Sequence, residues 1–202
     1  MRAEFISALE SHKGTFNIQL SEGHISRLAD LFDLIMQNNA VLHLVAPCSP
    51  EEFAVRHVLE SLTLLRHLPP DSTFADVGTG AGLPALPCLL VRDDLSAVLI
   101  ESKIKKGDYL KTAIAALDLA GRATIENHQF EEISGLRADA VTCRALDKFT
   151  EKLPRLLKWA KGKNLLLFGG PSLGEALEKQ KVRYTKELMP MSEQRFLFVS
   201  TR

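Results

Sequence analysis

Hydrophobic and polar residues recur with two different periods along the chain, and the period changes near residue 70. In the first part, apolar residues stand three or four positions apart, which is typical of amphipathic helices. Ser21 precedes the first clear stretch of this kind as a suitable N-cap, and residues 53–68 form a second stretch. Pro69 and Pro70 end the second helix. The pattern therefore predicts an N-terminal helical segment over residues 1–70.

The second part alternates short apolar runs with helical patterns, which predicts an α/β sheet. The predicted strands are residues 73–77, 97–100, 123–126, 138–143, 164–168, 182–188 and 196–200. The predicted helices are residues 83–91, 105–119, 147–160 and 172–179. Strands joined through helices run parallel, whereas a short connection around Pro190 makes the last two strands an antiparallel hairpin at the sheet edge.

Length and composition place all 202 residues in one domain, with helices 1–70 packed on an α/β core over residues 71–202. A chain of this size with 46% hydrophobic residues can bury one substantial core. Its formal net charge is zero, so no overall field attracts nucleic acid or an anionic membrane. A nucleic-acid partner therefore requires a local basic face.

Cysteine, histidine and apolar patterns argue against disulfides, metal ions and membranes. Cys48, Cys88 and Cys143 are odd in number and far apart, and the six histidines show no ligand spacing. The longest apolar run, residues 83–91, is too short to cross a bilayer, and acidic residues interrupt the N-terminal stretch. We expect a soluble cytoplasmic protein without a metal site.

A glycine-rich loop after the first predicted strand is the strongest chemical signal. Gly78, Gly80 and Gly82 allow positive φ and a close approach of a ligand to the backbone. Leu83 occupies the position at which the dinucleotide fingerprint has its last glycine. Asp76, at the strand tip, would repel a diphosphate but suits a ligand with sulfonium and ammonium groups, such as S-adenosyl-L-methionine (SAM). A purely structural turn is the alternative.

An acid at the end of the next predicted strand supports a nucleoside cofactor. Glu101 follows the loop by about one βαβ unit, where a carboxylate can accept hydrogen bonds from both ribose hydroxyls. Alone, Glu101 could be an ordinary strand-end charge. Together with Asp76 and the loop, it predicts a class I SAM-dependent methyltransferase fold: a Rossmann-like, mostly parallel sheet with a C-terminal antiparallel hairpin, preceded by the helical segment.

Several segments resemble motifs of the bacterial small-subunit (16S) rRNA guanine-N7 methyltransferase family, known as RsmG or GidB. They are RHVLES at 56–61 for the family's RHILDS, DVGTGAGLPALP at 76–87 for DVGTGPGLPGIP, LIES at 99–102 for LLDS, FE at 130–131 for a Val-Glu pair, VTCRA at 141–145 for VISRA, and Arg195 for the arginine of an ERHL segment. The proline after Gly-Leu is more specific than the glycines. The likeness extends from about residue 20 to the C-terminus.

The resemblance implies methyl transfer from SAM to N7 of a guanine in small-subunit rRNA, free or in the assembled subunit. We expect the protein to be a monomer. The catalytic residues it implies are Arg144, Arg195, His57 and Arg56. The cofactor-binding residues are Asp76, Gly78, Thr79, Gly80, Gly82, Leu83, Glu101, Ser102, Phe130, Glu131 and Arg144. Of these, Glu101 would bind the ribose, Phe130 and Glu131 would flank the adenine, and Arg144 would lie near the target base.

The chain departs from the family pattern on the substrate side. Gly169 replaces a lysine, Gln129 replaces a basic residue, and His43-Leu-Val45 stands where the family has Asn-Leu-Thr. Each lost cation would weaken a phosphate or base contact by about 1–3 kcal/mol. A SAM-dependent methyltransferase for a small molecule or another macromolecule, and a non-catalytic SAM-binding or RNA-binding module, are the alternatives. Asp76 and Leu83 disfavour an NAD-dependent dehydrogenase.

Other basic and thiol residues have an ordinary and a functional interpretation. Lysines at 103, 105, 106 and 111 and basic residues at 152, 155, 158, 161 and 163 could contact RNA, but such spacing is also typical of a solvated helix face. Thr142-Cys143 resembles the thiol dipeptide of cytosine-C5 methyltransferases. A small buried residue is the favoured interpretation of Cys143.

Overall fold

The computed structural model describes residues 1–144 and 148–201. Its centre is a seven-stranded sheet with the order β3-β2-β1-β4-β5-β7-β6. The strands are β1 Thr73–Val77, β2 Ser96–Ile100, β3 Ala123–Glu126, β4 Ala140–Cys143, β5 Asn164–Gly169, β6 Thr185–Leu188 and β7 Phe196–Ser200. Strands β1 to β5 are parallel, and β7 runs antiparallel to both β5 and β6. The predicted sheet with its terminal hairpin is confirmed.

Helices cover the sheet and make up the N-terminal part of the chain. They are α1 Arg2–His12, α2 Glu22–Leu42, the composite helix α3 (Pro50–Glu52, Phe53–Leu59, Glu60–Leu62 and Thr63–Arg66 in succession), α4 Ala85–Val91, α5 Ile104–Ala116, α6 Phe149–Trp159 and α7 Pro171–Lys179. A short 3-10 turn lies at Phe130–Glu132. Among the described residues, no helix is both long enough and apolar enough to span a bilayer.

Several predicted boundaries were wrong by a few residues for local reasons. Strand β6 begins at Thr185 rather than 182, because Lys181 has a positive φ of 56° and Val182 N–H donates to the carbonyl of Leu177 to close helix α7. Strand β4 begins at Ala140 rather than 138. For helix α6 the sequence predicts a start at residue 147, which lies outside the described residues.

Two helix caps explain where the N-terminal helices begin. The hydroxyl of Ser21 accepts from the backbone N–H of His24, which confirms Ser21 as the N-cap of α2. Helix α3 begins at Pro50, three residues before its predicted start, because the Ser49 hydroxyl accepts from Glu52 N–H.

The middle of α3 is a π-helix, Phe53–Leu59, in place of regular α-helical turns. Such wide turns are rare and often lie at functional sites. This one carries Arg56 and His57, two of the predicted site residues. At its start, the ring of Phe53 packs edge-on against Phe32, with centroids 5.1 Å apart, and Phe32 stacks on Phe5 at 4.5 Å. The aromatic contacts hold the π-helix against α1 and α2.

Candidate active site

The glycine-rich loop joins β1 to α4 in the conformation that its glycines permit. Gly78, Gly80 and Gly82 have φ values of 72°, 57° and 84°. The N–H groups of Gly78 and Thr79 donate to the carbonyl of Ile100 at 2.9 and 3.2 Å. A β-carbon at Gly82 would lie 2.3 Å from Leu86 Cδ1. The loop is thus fixed on the end of β2 and packed too closely for a side chain at Gly82.

Asp76 lies beneath this loop and is completely buried. Its Oδ2 accepts from the Thr79 hydroxyl at 2.6 Å and from Ala85 N–H at 3.3 Å. Its Oδ1 has no hydrogen-bond partner among the described residues. Burial raises the pKa of Asp76 to about 7, although both hydrogen bonds oppose the shift. The unpartnered oxygen leaves Asp76 able to favour a cationic ligand.

Glu101 connects the loop to the start of α5. Its Oε2 accepts from Gly80 N–H at 3.2 Å and its Oε1 from Lys103 N–H at 2.8 Å. Each carboxylate oxygen can accept a second hydrogen bond, so the orienting contacts leave capacity for hydroxyl donors. Glu101 is therefore held in place and still able to receive a ribose.

A cleft of about 420 Å³ opens above the loop, within the usual size range of small-molecule sites. Its lining includes eight of the predicted site residues, namely His57, Gly78, Thr79, Gly80, Leu83, Glu101, Ser102 and Arg144. The residues present fit SAM, because the cleft combines a close backbone approach with an acidic ribose acceptor. Asp76 does not line the cleft, but its unpartnered Oδ1 lies buried beneath the loop. Within the described residues, no group of His, Cys, Asp and Glu is placed to hold a metal ion.

The remaining predicted cofactor residues lie behind the cleft or beside it. Phe130 is buried, and its ring packs edge-on against Trp159 with centroids 5.5 Å apart. Glu131 is exposed, with Arg155 Nη1 at 3.5 Å from Oε1. Neither residue lines the cleft. Their contact with the adenine stays a prediction, as do the roles of the other site residues.

Arg144 leaves β4 and is held on three sides. Its guanidinium donates to the Ser61 hydroxyl at 3.1 Å, to Glu60 Oε2 at 3.3 Å and to the backbone carbonyl of Arg56. The ring of Phe168 lies 5.6 Å below it. Burial lowers the pKa of Arg144 to about 10, while Glu60 opposes this, so the guanidinium stays charged at neutral pH.

Glu60 also binds the third predicted arginine. Its side chain is 2% exposed, and its Oε1 accepts from Arg195 Nε at 2.7 Å. Arg195 does not line the cleft but an adjacent cavity, together with Arg56. The structure thus joins Arg144 and Arg195 through a buried carboxylate and places them in two different cavities.

His57 stands in the cleft wall near these arginines. Burial lowers its pKa to about 3, and the positive charges of Arg144, Arg56 and Arg195 act in the same direction. Its ring packs 5.0 Å from that of Phe53. His57 is therefore neutral throughout the physiological range and cannot exchange a proton near pH 7.

This low pKa has a measurable effect on stability. Between pH 6.5 and 3 the unfolded chain binds a proton at His57 that the folded chain does not, so His57 destabilises the fold as the pH falls. Relative to wild type, His57→Gln should gain about 2 kcal/mol of unfolding free energy between pH 7.5 and pH 5. Urea unfolding at both pH values measures this gain. His128→Gln, at an exposed histidine, is the control, and equal profiles for both variants would contradict the prediction.

Protonation of Asp76 changes stability with pH in the opposite direction to His57, over nearly the same pH range. Its folded pKa of about 7 exceeds the ordinary aspartate value of 3.8. The folded chain therefore keeps a proton that the unfolded chain releases, and stability falls as the pH rises from about 4 to 7. The two effects partly cancel in wild type, so the His57 effect must be measured as a difference between variant and wild type.

Sequence reasoning missed Glu60 and Ser61 as site residues. The available signal was a pair of polar residues between the apolar neighbours Val58, Leu59 and Leu62, all of them buried. A carboxylate in such a run is expected to have a cationic partner.

The structure separates the lysines that the sequence could not distinguish. Lys103, Lys106 and Lys152 line the cleft, and burial lowers the pKa of Lys106. Lys111 instead pairs with Asp108 at 2.9 Å on an exposed face. Three of these lysines therefore lie where the functional interpretation needs them.

The departures from the family pattern also have structural settings. A β-carbon at Gly169 would lie 2.5 Å from Leu173 Cδ2 and 2.9 Å from its Cβ, so Leu173 fills the space of any side chain there. Gln129 is exposed at the start of the 3-10 turn and away from the cleft lining. Cys143 is fully buried, which confirms its interpretation as a small buried residue.

Comparisons with known proteins agree with this geometry. The family model described as rRNA small subunit methyltransferase G matches residues 24–197. Ribosomal RNA small subunit methyltransferase G of Neisseria meningitidis is 34% identical over 134 residues, covering 66% of this chain and 64% of that protein. The protein of the same name from Anaeromyxobacter dehalogenans is 36% identical over 148 residues, covering 72% of this chain and 69% of that protein. The chain thus spans about two thirds of the length of these curated relatives.

Solved structures extend the likeness to the fold. A SAM-dependent methyltransferase from Aquifex aeolicus superposes with a TM-score of 0.57 and 18% identity, over 85% of this chain and 97% of that one. The tRNA methyltransferase TrmK of B. subtilis superposes with a TM-score of 0.52 and 14% identity, over 70% and 65%. At this identity the likeness shows the fold alone.

The matches confirm the predicted fold and the predicted family. The matched region begins in α2 and ends in β7, so it contains the loop, Glu101 and all three arginines. The chain belongs to the family of rRNA small subunit methyltransferase G.

Proposed function

We propose that this protein transfers the methyl group of SAM to N7 of a guanine in small-subunit rRNA. The observation that carries the proposal is the composition of the cleft. The lining contains the glycine-rich loop and Glu101, which suit a nucleoside cofactor. It also contains Lys103, Lys106 and Lys152, which suit a polyanion such as RNA.

The charge balance of the cleft supports an anionic substrate. Four cationic side chains line it, and Glu101 is the single carboxylate among the lining residues, all of which are described. A small neutral substrate has no need of such an excess. The compartment in which ribosomal subunits assemble, the bacterial cytoplasm, is the corresponding location, and the monomeric state expected from the sequence stays a prediction.

The reaction requires little acid-base chemistry from the protein. SAM, held by the glycine-rich loop and Glu101, would supply an electrophilic methyl group to the lone pair of guanine N7, with the electrons of the broken C–S bond remaining on sulfur. N7 carries no proton, so no general base is needed, which agrees with the weak basicity of His57, whose pKa burial lowers to about 3. The residues of the cleft instead align the two reactants and exclude water.

Within this scheme Arg144 is the residue best placed to orient the target base. It lines the cleft, and Glu60, Ser61 and the Arg56 carbonyl fix its guanidinium. Such a held guanidinium can donate to the O6 atom of a guanine, beside N7. His57 adds a neutral ring that can donate or accept a hydrogen bond without changing charge.

Cofactor binding is the first test. Titration calorimetry should show binding of S-adenosylhomocysteine, and Asp76→Ala and Gly80→Val should abolish it. A valine at position 80 would be strained by the φ of 57° and would add bulk at the cleft lining. Gly135→Val is the matched control, because Gly135 has a φ of 69°, no atom within 4 Å of an added β-carbon, and no place in the cleft lining. Binding of NADH without S-adenosylhomocysteine would refute the proposal.

The substrate is tested with labelled SAM, offered together with small-subunit particles and with naked rRNA. We expect label at guanine N7, which is detected by cleavage of the RNA at that base. Label in small-molecule extracts and never in RNA would favour the alternative of a small-molecule methyltransferase. The replacement of a family lysine by Gly169 makes this comparison necessary.

A further inference from the structure

A second cavity of about 340 Å³ lies beside helix α3 and the turn between β6 and β7. It is lined by Ser49, Glu51, Glu52, Val55, Arg56, Met191 and Arg195. None of these residues lines the cofactor cleft. The two cavities are connected through Glu60, which binds Arg144 of the cleft and Arg195 of the second cavity.

Arg195 is held in a way that prepares it for a ligand. Its Nε donates to Glu60 at 2.7 Å, and the side chain is 35% exposed. Within the part of the chain that the structure describes, its two terminal nitrogens donate to no protein acceptor. A guanidinium that is fixed through Nε loses little entropy when its outer edge binds an oxyanion.

The charges around Arg195 leave it free to attract an anion. Glu52 pairs with Arg56, and Glu51 is paired with His12 through a contact of 2.9 Å. Both carboxylates of the cavity lining therefore already have a basic partner. Glu60 is shared between Arg144 and Arg195, so its single negative charge does not neutralise both arginines.

An exposed apolar side chain lies next to this positive charge. Met191 is 54% exposed and has a φ of 58°, in the turn that leads to Arg195. Its thioether can pack against a sugar or a base, while the arginine binds a phosphate. A single RNA strand offers anionic phosphates next to unstacked bases. A cation beside an exposed apolar side chain can therefore contact both.

We propose that the second cavity binds a phosphodiester of the RNA strand that carries the target guanine, through Nη1 and Nη2 of Arg195. The inference rests on the proposed function, since it takes RNA as the substrate. Glu60 then acts as the positioning residue: it holds the arginine of the phosphate site and the arginine of the methyl-transfer cleft in a constant relation.

Binding of a single-stranded RNA fragment from the small subunit tests this site, measured by fluorescence anisotropy over a series of salt concentrations. Arg195→Gln should weaken RNA binding about tenfold and reduce the slope of log affinity against log salt by about 0.7, the value for one phosphate on a single strand. Arg195→Lys keeps the charge but loses the forked donors, so affinity should fall while the slope stays. Arg183→Gln, which removes an exposed arginine outside both cavities, should change neither.

Two further readings separate a binding role from a structural one. S-adenosylhomocysteine affinity should be unchanged in Arg195→Gln, and the KM for RNA should rise more than kcat falls. If wild type methylates RNA and Arg195→Gln keeps its affinity and salt slope, the phosphate site is refuted and the proposed function stands. If wild type neither binds nor methylates RNA, both are refuted.

Discussion

Glu60→Ala should lower the free energy of unfolding by about 3–5 kcal/mol, the usual cost of removing one partner from a buried ion pair. Glu60 is 2% exposed, and the Arg144 side chain that it binds is 15% exposed. Without the carboxylate, Arg144 keeps its charge, and among the described residues the Ser61 hydroxyl and the Arg56 carbonyl remain as its hydrogen-bond acceptors. Two arginines would then repel each other across an empty volume. Urea unfolding at pH 7 measures the loss.

Controls distinguish this effect from ordinary charge removal. Glu10→Ala deletes a glutamate whose contact with Lys13 is largely exposed, and should cost less than about 1 kcal/mol. Glu60→Gln keeps the volume and an acceptor oxygen, so its cost should lie between the two. A Glu60→Ala variant as stable as Glu10→Ala would mean that the network contributes nothing to the fold.

Gly82→Ala should lower the free energy of unfolding by about 3 kcal/mol and weaken S-adenosylhomocysteine binding by more than about tenfold. The added β-carbon would lie 2.3 Å from Leu86 Cδ1 and 2.6 Å from its Cγ. The φ of 84° adds backbone strain. Gly82 N–H donates to Thr79, a residue of the cleft lining, so any shift of Gly82 moves the cofactor site.

Two other glycines separate the contributions to this loss. Gly135→Ala has a comparable positive φ but no atom within 4 Å of its β-carbon, so it shows the cost of strain alone. Gly121→Ala has neither the strain nor the contact and should be nearly neutral. If Gly82→Ala costs no more than Gly135→Ala, the packing against Leu86 does not matter. Thermal unfolding and calorimetric titration measure both properties.

The cofactor half of the site was predictable because its parts are local in sequence. Three glycines after a strand, an acid at the tip of that strand and an acid at the end of the next strand all follow from short patterns. Parallel pairing then brings them together, since Asp76 lies opposite Leu99 and Val77 opposite Ile100, directly before Glu101. For each of these side chains, its position at a strand end was enough to predict where it lies in the fold.

The arginine network was not predictable in this way. Glu60 binds Arg144 and Arg195 across 84 and 135 residues, and no periodicity within a helix reports such distant partners. The π-helical turns of α3 also rotate Arg56 and His57 away from the positions that a 3.6-residue period predicts. Likewise, only the packing of α5 and α6 decides which lysines lie at the cleft.

The rings of Phe5, Phe32 and Phe53 pack in succession from the N-terminal helices to His57 in the cleft wall. Phe5 precedes the segment shared with the family, which begins at residue 24. We propose on this basis that the first helix belongs to the same folding unit as the sheet. A chimaera that exchanges segments with a relative to alter specificity would therefore need helix α1 as well. If the exchange began at residue 24, the site residues would be transferred without the aromatic ring that packs behind His57 through Phe32 and Phe53.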